Sequence, residues 1–188
     1  GTQYDLHKPR LFSHCHYYYP QEDDAMSWII TGQEAGSLGL LDQYGGAAAA
    51  YSLRNLSLYH TDPVVRVRRD NDNAEQDFTA AEVSDGTLAA WVGAGNDGFV
   101  RTWYDQSGSN LHGEQTTTAN QPQIVSSGSI ITSGTLQTLQ FNGSTQFLFL
   151  PVGALNWERT QAFTFFAVAN IASQNGIIIA KQEGSGSA

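Results

Sequence analysis

Apolar and polar positions alternate with a period of two over several short stretches of this chain, and the sharpest is 99–104. Phe99, Arg101 and Trp103 are expected on one side of a strand there, and Val100, Thr102 and Tyr104 on the other. The strand ends in Asp105-Gln106-Ser107-Gly108, where Asp and Ser bond local backbone and Gly tolerates positive φ. A second alternation follows Asp62-Pro63, with Val65 and Val67 set between Arg66 and Arg68. A short strand is expected at 123–125. Residues 136–141 and 146–150 flank Asn142-Gly143, which predicts a hairpin with a type I′ turn. Residues 162–170 and 177–181 predict another apolar strand pair around the polar turn 173–176. Two stretches follow the helical period instead. Residues 47–58 carry four alanines with Tyr51, Leu53, Leu56 and Leu58 and predict the principal helix. Residues 88–92 predict a helical turn capped by Asp85 or Thr87. Short strands with turns at this spacing predict a β-sandwich carrying one packed helix.

The first 28 residues show no sustained period and read as an irregular arm, with a short strand at Trp28-Ile29-Ile30. At 188 residues the chain suits one domain with a substantial core. A formal charge of −9 argues against a phosphate-backbone binder, which needs a basic face. The basic strand does not reverse this, because Asp70, Asp72, Glu75 and Asp77 lie close enough in sequence to pair with its arginines. Cys15 is the single cysteine, so neither an intrachain disulfide nor a thiolate metal cluster is available. No apolar run approaches the roughly 20 residues of a membrane-spanning helix. With no initiating Met and no signal-peptide pattern, the chain reads as processed, trimmed or cut from something longer. Residues 183–188 read as a flexible tail.

Candidate chemistry is sparse. His14-Cys15-His16 are consecutive, so a strand would point them to alternate sides, away from a common metal ion. Residues 70–77, DNDNAEQD, have the composition of a calcium loop without the Gly at the sixth and Glu at the twelfth position of a helical hand. An ion in a less regular calcium loop is the one cofactor left open. Residues 93–98, GAGNDG, match a dinucleotide fingerprint, but they precede a strand, where the fingerprint follows one, and read as a loop. No Ser stands in a nucleophile elbow. Trp103, Tyr104 and Asp105 place two aromatics beside a carboxylate and are the candidate carbohydrate-binding residues. The competing reading makes Trp103 a core residue and Asp105 the acceptor that closes a turn.

GGAAAAYSLRNL at 45–56, VRVRRDNDNAEQDF at 65–78, FVRTWYDQSGSN at 99–110 and ANQPQIV at 119–125 occur in this order. Together they resemble a module of phage and prophage virion proteins. The module is similar to the catalytic domain of arabinofuranosidase B, most clearly at Tyr104–Gly108. LQFNGSTQFL at 139–148 resembles the entry to a concanavalin A-like, laminin-G-like jelly roll. The resemblance spans about 110 residues and does not cover the first 40. The stretch it leaves out, 1–40, is taken as the irregular N-terminal arm, and the resemblance implies a lectin-like jelly-roll β-sandwich at 41–182. It also implies a non-enzymatic structural component of a tailed-phage virion, located in the particle. Its expected partners are other virion subunits in a homo-oligomer, and host-surface glycan, with no nucleic acid and no membrane insertion. The alternative is an arabinofuranosidase-like glycoside hydrolase truncated before its catalytic carboxylates. No position matches either member of the carboxylate pair that a retaining glycosidase needs, so no catalytic residue is assigned. A sandwich ending near residue 181 is expected to need further strands, from a longer chain or from partners.

Overall fold

The computed structural model describes residues 38–155, 160, 162–171 and 178–180. These fall in one compact unit that starts at Leu38. The expectations for the N-terminal arm up to residue 37, for His14-Cys15-His16, for Trp28-Ile29-Ile30 and for the tail lie outside them.

The fold is mainly β, built on one curled antiparallel sheet with few helices. The first helix, α1, is a single turn at Leu40–Gln43. Strand β1, Val65–Arg69, turns through Asp70–Ala74 into β2, Glu75–Phe78. Two short helices follow, α2 at Ala80–Ser84 and α3 at Thr87–Val92, and then β3 at Gly98–Trp103. The next strands are β4 at Gly113–Glu114, β5 at Gln123–Ser126 and β6 at Ser129–Ile130. The order across the sheet is β2-β1-β3-β5-β6. Both β4 and β5 pair with the edge of β3 away from β1, β4 through Thr102 and Trp103 and β5 through Gly98 and Phe99. Strands β7, Thr132–Ser133, and β8, Leu136–Gln137, form a separate two-stranded ladder.

Two register shifts set which side chains enter the core. Between Arg66 and Val67 the partner on β3 jumps from Thr102 to Val100, so Arg101 is an extra residue. Directly paired residues share a face. Val65 opposite Trp103 and Val67 opposite Val100 therefore look inward together, while Arg101 joins Arg66 on the other face. This corrects the strict alternation expected for 99–104, which set Trp103 beside Arg101. A second shift leaves Ile124 extra on β5, and Ile124 and Val125 are both fully buried. The core joins Val64, Val65, Val67, Phe78 and Val100 to Val83 of α2, Leu88 and Val92 of α3, and the β5 pair. Trp91 meets Phe78 edge-on at 5.3 Å.

The expected helix at 47–58 does not form. Its backbone is claimed by partners distant in sequence: Ala50 N–H donates to Asp105, Ala50 C=O accepts from Gln106, and Leu56 N–H donates to the Gln106 side chain. Ser52 and Ser57 hydroxyls take nearby N–H groups from Arg54 and Tyr59. Local alanine propensity is worth tenths of a kcal/mol per residue and loses to these contacts. Helix α2 has a legible start that the apolar pattern hid. Thr79 and Glu82 form a capping box in which Glu82 takes the Thr79 N–H at 2.8 Å and Thr79 takes the Glu82 N–H. For α3, Gly86 is the N-cap residue, and Asp85 accepts from Thr87 N–H, close to the expected cap.

Nor do residues 136–150 close on themselves as a hairpin. Gln140 bridges to Gln123 and Phe149 to Glu114, so the two arms pair with different parts of the sheet. Asn142 is spent on the turn itself, its Oδ1 accepting from Ser144, Thr145 and Gln146. The type I′ geometry occurs instead at Ser127-Gly128, φ 50 and 80, between β5 and β6. A Cβ at Gly128 would also lie 2.7 Å from Ala94 Cα. Residues 162–171 carry no strand, and neither do 178–180, so the last expected strand pair is not formed among the described residues. Their β-propensity describes a fit to a pleated, half-buried surface, and no neighbouring strand supplies one. A jelly-roll partner sheet of comparable size is likewise not formed among the described residues.

Candidate functional site

Where β3 runs out at Trp103, the chain turns and Asp105 points back into the protein. Asp105 and Gln106 are 7 % and 8 % exposed. The Asp105 carboxylate accepts from Ala50 N–H at 2.8 Å, Ser107 N–H at 2.9 Å and Leu111 N–H at 3.1 Å, and from the Ser107 hydroxyl at 2.8 Å. Burial pushes its pKa up, but the Ser107 and Ala50 amides, the Ser107 hydroxyl and the Leu111 amide outweigh that and hold it below the ordinary carboxylate range. A general acid needs the opposite perturbation. The neighbouring Tyr51 hydroxyl donates to Leu111 C=O. Burial, with the Asp105 charge beside it, raises the Tyr51 pKa and keeps the phenol neutral.

Gln106 works the same corner from the other side. Its Nε2 donates to Ser52 C=O and Arg54 C=O, each at 3.0 Å, and its Oε1 accepts from Leu56 N–H at 2.8 Å. One buried amide thus fixes the loop 52–56. Nothing in the sequence marked Gln106, because a glutamine in a polar turn has no pattern of its own.

Trp103 packs on the core and lies 5.6 Å from the Tyr51 ring. Its indole Nε1 is buried without a hydrogen-bond partner. Tyr104 belongs to the other side: its hydroxyl donates to Asp77 at 2.8 Å and its ring meets His112 edge-on at 5.0 Å. Burial first, then the Asp77 carboxylate, raises its pKa to about 12. The three sequence candidates are therefore adjacent in the chain but do not converge on one surface. Trp103 packs on the core, Tyr104 serves the charged face, and Asp105 closes the corner.

The charged face is a ladder of ion pairs. Arg66 lies 3.3 Å from Glu75 and 3.7 Å from Asp77, and Arg101 lies 3.9 Å from Glu75 and 3.6 Å from Glu114. At the hairpin turn Arg69 forms two hydrogen bonds to Asp72, at 2.8 and 2.7 Å. The Arg69 bonds, with the Ala74 N–H, draw the Asp72 pKa down to about 2. This is the local pairing expected for the basic strand. It also assigns 70–77, whose calcium-like composition builds a turn and strand β2. Among the described residues no group of three or more His, Cys, Asp or Glu is arranged to hold a metal.

Arg68 is the exception, 7 % exposed and without a carboxylate. Its Nε donates to Gln121 at 2.8 Å, its Nη1 to Asn73 at 2.8 Å, and its guanidinium lies 5.0 Å over the Phe99 ring. Gln121 passes the chain on to Gln115 C=O, and Gln115 to Phe147 C=O. Desolvation lowers the Arg68 pKa, against the attraction of Asp70 and Glu75. The GAGNDG loop is likewise a clamp: Asp97 N–H donates to Asp70, and Asp97 accepts from Ser127 N–H. It joins the β1–β2 turn to the β5–β6 turn.

Comparison with protein-family models, curated proteins and solved structures found no match to this chain.

Proposed function

We propose that this chain is a non-enzymatic structural component of a tailed-phage virion, built on a lectin-like module of concanavalin A type and packed against other virion subunits. The observation that carries the reading is an apolar surface that a free monomer has no use for. Phe166 and Val168 are 90 % and 102 % exposed, and Phe165, Ile171, Ile178 and Ile179 are exposed as well. Surface of this kind marks a face that another protein covers. The ordered resemblance of residues 45–125 to phage virion modules supplies the setting. The Asp105 corner supports the absence of chemistry, since its carboxylate is spent on four scaffold hydrogen bonds.

Mass spectrometry of density-purified phage particles tests the placement. Peptides of this chain in amounts comparable to known tail or capsid proteins are expected, and their absence from particles would overturn it. The arabinofuranosidase reading is tested with this chain on a chromogenic arabinofuranoside. No turnover is expected; turnover that is lost in an Asp105→Asn chain still folded by circular dichroism would replace the structural reading with the enzymatic one. Recognition of host-surface glycan belongs to the proposal, but not through Trp103, Tyr104 and Asp105 acting as one site.

A further inference from the structure

Of the described arginines, four have their guanidinium engaged: Arg66, Arg69 and Arg101 with carboxylates, and Arg68 with Gln121 and Asn73. Arg54 is the fifth. Its backbone is held at both ends, the N–H by the Ser52 hydroxyl at 3.0 Å and the C=O by Gln106 Nε2 at 3.0 Å. Its guanidinium meets neither a carboxylate nor any other acceptor among the described residues. Among the described arginines it is the one exposed guanidinium without an acceptor, in a chain with a formal charge of −9.

Arg54 also lines a groove of about 300 Å³ with Leu53, Asn55, Ala80, Ala81, Ser84 and Gln137. That volume is at the lower end for small-ligand sites. Its lining divides into two kinds. Leu53, which is buried, and Ala80 and the exposed Ala81 supply its apolar lining. Asn55, Ser84 and Gln137 supply neutral polar groups, with Arg54 as the single charge. Asn55 is oriented by its own bond, Nδ2 donating to His60 C=O at 2.9 Å, which leaves its Oδ1 as an acceptor. The Ser84 hydroxyl donates to Ala80 and Ala81 C=O and can still accept.

We propose that this groove binds a carboxylated monosaccharide, a uronic or sialic acid residue of an acidic glycan. The guanidinium fork takes the carboxylate through two parallel N–H donations. The amides of Asn55 and Gln137 and the Ser84 oxygen face the ring hydroxyls, and the apolar lining takes the apolar side of the ring. A carboxylate alone would use only Arg54. A neutral hexose would leave the cation unpaired. Gln106 is a positioning residue here, acting through the loop it holds. The inference rests on the glycan part of the proposed function and not on the chain's place in a particle, so particle composition and sugar binding fail separately.

The test uses the full chain and ligand titration followed by two-dimensional amide and guanidinium NMR. Glucuronate, galacturonate and N-acetylneuraminate are the probes, with glucose, galactose and acetate as controls. At least one acidic sugar is expected to bind with a Kd on the order of a millimolar. It should shift the side-chain signals of Arg54, Asn55 and Gln137. Arg54→Ala should weaken that binding about tenfold or more, with an unchanged amide spectrum elsewhere showing that the fold is kept. Ala81→Gln, which crowds the apolar lining while leaving Arg54 in place, should weaken it as well. The proposal is overturned by any of three results: no acidic sugar binds at 20-fold above about 1 mM; acetate or the neutral sugars bind as well; or Arg54→Ala binds like the parent chain.

Discussion

The corner at 105–111 and the segment at 162–171 invert the usual relation between polarity and burial. In the corner, a carboxylate and a primary amide are more than nine-tenths buried, and their chief acceptor and donor atoms meet backbone partners. Along 162–171 and at Ile178 and Ile179, large apolar side chains stand in water. Polar groups can be interior when hydrogen bonds replace water, because the loss of hydration is then offset. Apolar groups have no such substitute and need a covering surface. The corner is therefore complete within the described residues, while the apolar segment stays uncovered among them.

The largest effect should come from the finished side. Phe78→Ala removes a fully buried ring that touches Trp91, and urea unfolding is expected to show a loss of about 4 kcal/mol. Asp105→Ala strands three amides and a hydroxyl, and a loss of about 3 kcal/mol is expected by the same measurement. A loss below about 1 kcal/mol would mean that the corner is not a structural lock. Thr79→Ala breaks the capping box of α2 and should cost about 1 kcal/mol. On the other side of the comparison, Phe166→Ser with Val168→Ser should change unfolding stability by less than about 0.5 kcal/mol. The same pair should reduce self-association in light scattering. A large stability loss there would show that those side chains are packed, and the contrast would collapse.

Acid unfolding sharpens the same contrast. The Asp105 carboxyl in the folded chain titrates below its ordinary value of 3.8, and that of Asp72 at about 2. A depressed folded pKa contributes stability that is fully present above the unfolded value and is lost as pH falls through the folded one. Stability should thus be flat above about pH 5 and decline between about pH 4 and 2. Asp105→Asn should flatten that decline, measured by circular dichroism melting against pH. An unchanged acid profile in this variant would place the titrating group elsewhere.

Strands β1 and β3 were legible because Val65, Val67 and Val100 carry a period-two signal that tertiary packing reinforces, and β5 was expected at 123–125 although its adjacent Ile124 and Val125 are both buried. The ion pairs of the basic strand were legible because the carboxylates that meet Arg66 and Arg69 follow in the same hairpin, at Asp72, Glu75 and Asp77. The structural use of Asp105 followed from turn chemistry. Residues 47–58 misled because helix propensity is local, and the groups that capture that backbone sit some 50 positions later. The face of Trp103 was hidden by a one-residue bulge, which leaves no trace in a hydrophobic pattern but reverses every side chain beyond it. Glutamines 106, 115 and 121 were invisible for a related reason. An amide is neutral and equally at home on a surface, so only its final neighbours give it a role.

Composition and periodicity by themselves determined that the chain is mainly β and acidic, because those properties sum over residues independently of their partners. Which strands adjoin, which of the described arginines are left without a carboxylate, and which apolar surface stays uncovered were decided only in three dimensions. Each depends on a register or a long-range hydrogen bond, and such contacts join residues that share no local signal.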